Sequence, residues 1–274
     1  MCQVQGSAHM RLTTLLATLA TILVLGLGLI ACEGDDDGVR GSGNLVTRDF
    51  EFTDFTSVHL SQAFDAEITQ SETFSVSVRV DDNILDLIEV DMSGSTLSVG
   101  TKSGASLTGN VTLEATITMP TVDGIELSGA SSADVAGFDA LGAFDVQVSG
   151  ASRIDGDFVA ESVDVSLSGA SHISGEVVAG SIDLSLSGAS RATLQGSVDD
   201  LTLDAEGASH ADLDGLVVQT ADVKLSGASD ATVNAEERIE SVDVSGASKL
   251  RYLGEPVLGS VNTSGASTVD QIDD

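Results

Sequence analysis

The sequence predicts an all-β fold: a parallel β-helix, or β-solenoid, built from coils of about 19 residues. Two observations predict it, namely a tetrapeptide that recurs at nearly constant spacing and a regular alternation of apolar and polar residues around each copy. The tetrapeptide Ser-Gly-Ala-Ser begins at residues 128, 149, 168, 187, 226, 245 and 264, and a Glu-Gly-Ala-Ser variant begins at residue 206. A repeat of fixed length indicates a solenoid in which each repeat forms one turn of the chain.

The residues that precede each tetrapeptide alternate between apolar and polar. Val146 and Val148 flank Gln147, and the other copies follow the same order. The alternation resumes after the tetrapeptide, at the fifth position past its first residue, with Ile154, Ile173, Ala192, Ala211, Ala231 and Leu250. A period of two is that of a β-strand, so we expect these apolar columns to face a shared core.

A coil of this length accommodates three short strands and their corners, because an extended chain advances about 3.3 Å per residue. Successive coils would stack about 4.8 Å apart, so that every repeated position forms a ladder. The glycine of each tetrapeptide marks a corner with unusual backbone angles, and the small Ala and Ser beside it suit a tight turn.

Residues 44–127 are expected to form an N-terminal cap and the first coils, and residues 128–274 the regular solenoid, with 44–274 forming one domain. Residues 81–90 are expected to contain one or two helical turns, with Asp82 or Asn83 as the N-cap. A cap would cover the open end of the solenoid, where an unpaired strand would otherwise pair with other chains.

Residues 1–31 are predicted to be a lipoprotein signal peptide. Arg11 precedes an uncharged apolar run from Leu12 to Ile30, the order typical of a secretory signal. The run ends in Leu29-Ile30-Ala31-Cys32, which resembles a bacterial lipobox, so Cys32 is the predicted lipidation site. The alternative is a helix that spans the membrane and carries an incidental cysteine.

Residues 32–43 are predicted to be an acidic, Gly-rich tether with too little apolar surface to fold. The residue after a lipidated cysteine influences sorting, and by resemblance to other lipoproteins Glu33 favours the outer membrane. We therefore expect an exported protein of the cell envelope, an outer-membrane lipoprotein on its periplasmic or surface face. The mature chain would keep Cys32 as its single cysteine, which excludes disulfides and Cys-ligated metal clusters.

The charge of the chain excludes some partners. Its net charge is −32, and only 3% of its residues are aromatic. Such an acidic chain would repel phosphate groups, so nucleic acid is not expected as a partner. Anionic lipid would be repelled as well, so the lipid anchor rather than the domain would hold the protein at the membrane.

Three segments carry a resemblance to a known family: Phe52-Thr-Asp-Phe55-Thr-Ser-Val58, Val80-Asp-Asp-Asn83-Ile-Leu85 and the repeated Leu-Ser-Gly-Ala-Ser. They resemble the auto-transporter adhesin, head GIN domain family, over nearly all of residues 45–274. The resemblance implies a right-handed β-helical envelope domain, and the hand of the helix rests on it because the spacing does not determine the hand. It implies no catalytic residues.

The position directly after the tetrapeptide holds an unusual share of the cationic side chains. The candidate binding stripe consists of Arg153, His172, Arg191, His210 and Lys249. Such a ridge could contact acidic sugars or the acidic face of another envelope or surface protein. The alternative is that these long side chains only cover a turn.

The position four residues before the tetrapeptide is acidic in several coils: Asp145, Asp164, Asp183 and Asp222. Carboxylates about 5 Å apart repel each other by roughly 1 kcal/mol in water, and bound Ca²⁺ would relieve that repulsion. The calcium-binding nonapeptide is absent from the sequence, so a solvated row that opposes sideways aggregation is the alternative. No other cofactor is expected.

The sequence contains no nucleophile elbow, zinc-protease motif or phosphate-binding loop. Coil lengths hardly vary, which leaves no long loops to build a catalytic cleft. We therefore expect a non-enzymatic envelope lipoprotein with an adhesive or structural role. The alternative is an envelope protein that binds or cleaves polysaccharide, because parallel β-helices also occur in polysaccharide lyases.

Overall fold

The computed structural model describes residues 38–139 and 141–273. The predicted signal peptide, Cys32 and residues 33–37 of the predicted tether lie outside the described residues. The fold is nearly all β, with 65% strand and 3% helix, and its parallel coils of about 19 residues form a β-solenoid of about 8 turns. The all-β, parallel β-helical fold predicted from the repeat is confirmed.

The described residues form 19 strands and one short 3₁₀ helix, Asp82–Leu87. The first seven strands are β1 (Leu45–Phe50), β2 (Ser57–Leu60), β3 (Asp65–Gln70), β4 (Ser75–Asp81), β5 (Ile88–Ser93), β6 (Thr96–Thr101) and β7 (Leu113–Met119). The others are β8 (Gly124–Leu127), β9 (Ser132–Ala136), β10 (Leu141–Val148), β11 (Arg153–Gly156), β12 (Phe158–Leu167), β13 (His172–Leu186), β14 (Arg191–Ala205), β15 (His210–Leu225), β16 (Asp230–Val244), β17 (Lys249–Leu253), β18 (Val257–Thr263) and β19 (Thr268–Gln271).

From β8 onward, each coil pairs in parallel with the next, and equivalent residues stand opposite one another. Val146 of β10 is opposite Val165 of β12, which is opposite Leu184 of β13. All three side chains are at most 1% exposed. The columns predicted to face the core do so, and burying each such side chain contributes about 1.5–3 kcal/mol to folding.

The glycine of each tetrapeptide forms a corner that stacks directly on the corner of the preceding coil. Gly188 adopts a φ of +76°, and the backbone N–H of Ala189 donates to the carbonyl oxygen of Gly169 at 2.7 Å. A Cβ atom on Gly188 would lie 2.5 Å from that same oxygen. Glycine is therefore required at this corner both by the left-handed backbone angle and by the close approach of the coil below.

The last serine of each tetrapeptide points inward and closes the corner. Ser229 is 1% exposed, and its hydroxyl donates to the carbonyl oxygen of Ser226 at 2.7 Å and to that of Ala205 at 3.1 Å. Ser171 and Ser190 are equally buried, but among the described residues their hydroxyl groups have no hydrogen-bond partner.

The first coils are stacked in an order that differs from their order in the chain. β2 pairs with β6 on one side and with β8 on the other, and β3 pairs likewise with β7 and β9. The β2–β3 coil therefore lies between the β6–β7 coil and the β8–β9 coil. At its corner Gln62 replaces the glycine with a φ of +59°, and its Oε1 accepts a hydrogen bond from the N–H of Thr101 at 2.7 Å.

Antiparallel strands and the 3₁₀ helix flank the β6–β7 coil at the N-terminal end of the solenoid, and we call them the cap. β1 pairs with β4, β4 with β7, and β5 with β6. The expectation that Asp82 or Asn83 caps the helix is wrong, because the N-cap position is Asp81 and it makes no side-chain capping bond. The side chains of Asp82 and Asn83 instead bind Ser42, at 2.5 Å to its hydroxyl and 3.0 Å to its N–H.

Residues 38–43, predicted as part of the tether, contact the folded domain. Val39 forms a β-bridge with Leu107, and its N–H donates to the carbonyl oxygen of Ser106 at 2.8 Å. The N–H of Gly43 donates to Asp81 at 2.6 Å. Backbone pairing thus holds this segment to the domain although the segment offers little apolar surface.

Among the described residues, nothing comparable to the cap lies at the C-terminal end of the solenoid. All seven residues of β18 are exposed, among them Val257 at 62% and Val261 at 42%. Val261 stands opposite the buried Val242 and continues an apolar column, whereas Val257 stands opposite the exposed Arg238. Within residues 38–139 and 141–273, no coil stacks on the outer side of β18.

Candidate functional site

The structure brings four residues of the predicted stripe together in adjacent coils. Arg153, His172, Arg191 and His210 are successive register partners on β11, β13, β14 and β15. We call these four residues the cationic row. With coils about 4.8 Å apart, the row extends over about 14 Å along the solenoid. Lys249 lies further along and is separated from His210 by Asp230.

The two ends of the cationic row have carboxylate partners. At one end Arg153 lies 3.6 Å from Asp155. At the other end His210 Nδ1 lies 3.6 Å from Asp230, a carboxylate that also pairs with Arg251. Exposed ion pairs of this kind contribute about 0–1 kcal/mol each, so they leave the end cations accessible to other anions.

The centre of the cationic row has no such partner. In the part of the chain that the structure describes, neither His172 nor Arg191 lies within 4.0 Å of a carboxylate oxygen. Each residue of the cationic row is followed, two positions later on the same strand, by another outward-facing residue. That residue is an aspartate after the two end members, Asp155 after Arg153 and Asp212 after His210. After the central members His172 and Arg191 it is Ser174 and Thr193. The sequence therefore leaves hydroxyl groups, not carboxylates, beside the central pair.

The electrostatics of His172 reflect this arrangement. Partial burial lowers the pKa of its imidazole, and the nearby Arg153 and Arg191 lower it further, against an opposing effect of Asp155. The charged form of His172 is disfavoured because two guanidinium groups flank it. An anion placed over this part of the row would reverse that effect.

The predicted aspartate column is assembled only in part. Asp145, Asp164 and Asp183 are successive register partners, but Thr202 interrupts the column before Asp222. Desolvation raises the pKa of Asp164, and the charges of Asp145 and Asp183 raise it further. Gln147 donates a hydrogen bond to Asp145 at 2.8 Å, and Ser241 donates one to Asp222 at 2.5 Å. These bonds stabilise the carboxylates at the two ends of the column against their mutual repulsion.

No three His, Cys, Asp or Glu side chains of the described residues are grouped so that they could hold a metal ion. The aspartates of the column lie in a line, one in each coil. Ca²⁺ instead takes six to eight oxygen ligands arranged around one point. Calcium binding by the aspartate column stays a prediction, and an unchanged melting temperature in millimolar Ca²⁺ and in EDTA would contradict it.

A second surface feature was not predicted from the sequence. A groove of about 360 Å³ crosses five coils between two parallel rows of polar side chains, with the buried Val148, Leu167 and Leu186 at its floor. Glu126 lies at one end of the groove, and Asp204 and Glu206 lie at the other. The rows are formed by Ser166 and Ser185 on one side and by Ser149, Ser168 and Ser187 on the other. The repeated Ser-Leu-Ser that precedes the glycine was the available sequence signal, since its outer residues share one face of a strand.

One contact superficially suggests catalysis. His59 Nε2 lies 3.3 Å from the hydroxyl of Ser128 and 3.9 Å from a carboxylate oxygen of Glu126. In a catalytic triad the base uses one nitrogen for the nucleophile and the other for the orienting acid. Here both contacts involve Nε2, so Glu126 cannot orient the imidazole toward Ser128. The arrangement is a surface polar contact between coils.

Comparison with known families identifies the relatives of this solenoid. Residues 54–256 match the family described as "Putative auto-transporter adhesin, head GIN domain". The chain belongs to this family. The resemblance predicted from the sequence is confirmed, and the match covers the N-terminal cap after β1 and most of the regular coils of this head GIN domain.

Solved structures share the fold of this head GIN domain. A protein described as a "putative adhesin" from Parabacteroides distasonis is 18% identical, with a TM-score of 0.79, over 86% of this chain and 100% of its own. Another with the same description, from Parabacteroides merdae, is 19% identical, with a TM-score of 0.78, over 86% of this chain and 99% of its own. A lipid-binding protein from P. distasonis is 17% identical over 85% of this chain and 99% of its own, with a TM-score of 0.73. At these identities the likeness shows the fold alone.

No curated protein sequence matches the chain. The family and the solved structures are described as adhesins or binding proteins, not as enzymes. Within the described residues, no helix is long and apolar enough to cross a membrane.

Proposed function

We propose that this chain is an exported, lipid-anchored protein of the bacterial cell envelope that binds an extended partner along the side of its solenoid and catalyses no reaction. The observation that carries the proposal is the cationic row, in which four side chains repeat at the spacing of the coils on a regular surface. Such a surface offers the same contact several times over, which suits a partner that is itself repetitive.

The adhesive part of the proposal is supported by the family description and by the small variation in coil length. Parallel pairing from β12 to β14 contains no register shift, and the shifts between β14, β15 and β16 add only a few residues. This leaves little room for long loops, on which catalytic clefts in solenoids depend. An adhesive surface needs no cleft, because many weak contacts along a rigid face add up to a stable complex.

The lipid anchor is supported by the sequence Leu29-Ile30-Ala31-Cys32, and the hydrogen bonds of residues 40–44 are consistent with it. Asn83 donates to the carbonyl oxygen of Arg40 at 2.8 Å and accepts from the N–H of Ser42 at 3.0 Å. The chain segment that follows the proposed anchor is thus held to the domain by side-chain contacts that would resist a pull on the N-terminus.

Two measurements on cells test the proposal. Metabolic labelling with an alkyne fatty acid should label the protein, and Cys32→Ser should abolish the label. Protease added to intact cells should then remove the domain if it is surface-exposed. Absence of label on the wild-type protein would contradict the anchor, and protection of the domain until the outer membrane is opened would contradict adhesion.

Polysaccharide binding in the serine-lined groove is a second candidate function. Its support is the groove itself, where hydroxyl groups of two rows face each other across about 360 Å³. Neutral sugars are recognised by such polar groups placed over a short apolar floor. Binding of neutral glycans on an array, lost on Ser168→Val, would support it, and binding unaffected by this change would refute it.

A further inference from the structure

The surroundings of the cationic row limit what can bind there. On one side of the central pair lie the exposed corners of the coils, where Ala170 and Ala189 carry no charge. On the other side lie Ser174 and Thr193, with Asp155 and Asp212 one coil further out in each direction. Ala170, Ala189, Ser174 and Thr193 are thus the uncharged neighbours of the central pair in a chain whose net charge is −32, and the hydroxyl of Ser174 donates to the carboxylate of Asp155.

We infer that the cationic row binds a single strand of acidic polysaccharide, with carboxylate or sulfate groups over Arg191 and His172 and sugar hydroxyl groups against Ser174 and Thr193. The inference rests on the proposed binding function and names its ligand. Guanidinium groups form strong, bidentate hydrogen bonds with carboxylate and sulfate, and an anion between Arg191 and His172 removes the repulsion between them. Each sugar unit along the row would meet a new pair of side chains.

The width of the row favours a single polysaccharide strand over nucleic acid. Duplex DNA carries a charge on both strands and needs a basic surface broader than one side chain. Asp155 and Asp212 flank the row, and a wide polyanion would approach both carboxylates. A narrow chain that follows the row meets cations in four successive coils and avoids most of the surrounding acids.

Histidine gives the interaction a dependence on pH. His172 faces Arg153 and Asp155 on one neighbouring strand, Arg191 and Thr193 on the other, and Ser174 on its own. His210 faces Arg191 on one side and the Asp230–Arg251 pair on the other. An anion over the row stabilises the imidazolium form of His172, so binding should strengthen as the pH falls below the ordinary histidine pKa of about 6.5.

The test uses the purified full-length protein in detergent, with polygalacturonate as the carboxylate probe, heparin as the sulfate probe and dextran as the neutral control. The row variant is Arg153→Gln with Arg191→Gln. The matched control is Arg79→Gln with Arg238→Gln, which removes the same charge from arginines outside the row that pair with Glu114 at 2.7 Å and Glu240 at 3.0 Å. Thermal melting confirms that each variant is folded.

The row variant should weaken binding of at least one acidic probe by roughly tenfold or more, as expected for lost hydrogen bonds to charged groups. The control variant should change it by no more than about twofold. His172→Gln should flatten the increase in affinity at lower pH. Equal losses in the row and control variants, or equally tight binding of a 20-base-pair DNA duplex, would overturn the inference.

Failure of the inference can be distinguished from failure of the proposed function. If neither acidic probe binds while the domain is exposed on intact cells and those cells still adhere through it, the ligand assignment is wrong and the binding function stands. If the domain is protected inside intact cells and binds no glycan or cell, both are wrong.

Discussion

The carboxylate of Asp81 accepts a hydrogen bond from the backbone N–H of Gly43 at 2.6 Å, across 38 residues of sequence. Its second oxygen accepts the N–H of Thr112 at 2.9 Å. One side chain, 2% exposed, thus joins the chain entering β1 to the end of β4 and the start of β7. The position belongs to the Val80-Asp-Asp-Asn83 segment that carried the family resemblance, and the structure shows what the segment does.

Replacing this carboxylate should loosen the cap. Asp81→Asn keeps the size of the side chain but removes one acceptor oxygen and the charge, so we expect the melting temperature to fall by several degrees. Asp86→Asn, an exposed change on the same 3₁₀ helix, should leave it unchanged. Equal melting temperatures for the two variants at pH 7 would contradict a role for Asp81 in holding the cap.

Acid should abolish the contribution of Asp81. The hydrogen bonds from Thr112 and Gly43 lower the pKa of this carboxyl group in the folded protein. A lowered folded-state pKa means that the stabilisation is present above the ordinary carboxyl pKa, and that it is lost as the pH falls through the lowered value. Urea unfolding of wild type and Asp81→Asn should therefore differ at pH 7, and the difference should shrink as the pH falls below the ordinary aspartate pKa of about 3.9; a constant difference would contradict the assignment.

A change at a stacked corner should cost more than the same change at an isolated turn. Gly188→Ala and Gly94→Ala both place an L-residue at positive φ, +76° and +63°, which costs about 1–2 kcal/mol. Only at Gly188 does the new Cβ also meet the carbonyl oxygen of Gly169, since Gly94 has no atom within 4 Å of that position. Chemical denaturation should show a difference of about 1–3 kcal/mol between the two, and equal costs would refute the close-contact argument.

Two buried serines should respond differently to the same substitution. The hydroxyl of Ser229 donates to two carbonyl oxygens, so Ser229→Ala should cost about 0.5–1.5 kcal/mol. The hydroxyl of Ser190 is buried without a partner among the described residues, so Ser190→Ala should be neutral or stabilising. Denaturant midpoints of the two variants measure the difference, and a loss at Ser190 as large as that at Ser229 would show that its hydroxyl is bonded.

Removing one negative charge from the aspartate column should stabilise the solenoid at neutral pH. Asp164 lies between two carboxylates and its pKa is raised, so its ionisation opposes folding once the pH exceeds the ordinary carboxyl value. Asp164→Asn should increase stability by up to about 1 kcal/mol at pH 7, discounted because the side chain is exposed, and by nothing at pH 3. The free energies of unfolding of wild type and Asp164→Asn, measured at both pH values, test this prediction. A less stable variant at pH 7 would indicate that the Asp164 carboxylate has a cationic or metal partner.

Binding at the cationic row should depend on salt in an unusual way. At about 10 mM salt the Debye length is about 30 Å, so the many distant carboxylates of the chain repel an acidic ligand; at 150 mM it is about 8 Å, and mainly the row itself acts on the ligand. Affinity for polygalacturonate should therefore rise between these concentrations and fall again at higher salt. A steady decrease from the lowest salt concentration would contradict the importance of the distant charges.

Local periodicity explains which parts of the structure could be predicted. Columns such as Val146, Val165 and Leu184 repeat at the spacing of the coils, so their shared core followed from the sequence, and so did the alignment of Arg153, His172 and Arg191. The β2–β3 coil lies within the residues expected to form the first coils, but its corner was not assigned because Gln62 replaces the glycine and Phe64 replaces the buried serine. Its position between two later coils depends on pairing across distant residues, which no local pattern reveals.

The serine-lined groove and the contacts of residues 38–43 were missed for a related reason. The sequence places Ser166 on a strand face and Ser168 at a corner, and nothing local indicates that the two belong to one feature. The groove between the two serine rows forms only when several coils are stacked. The contacts of Val39 with Leu107 are made by backbone groups, which every sequence possesses and which composition therefore does not report.

The interleaved order of the first coils has a consequence for how the protein folds during export. A chain that crosses a membrane from its N-terminus delivers β2 and β3 early, but these strands gain their second set of partners only when β8 and β9 emerge. Every later coil needs only the coil already in place, so it can add as soon as its own residues arrive. Folding of this domain is thus expected to wait for about the first half of the chain and then to proceed one turn at a time, in the direction of translocation.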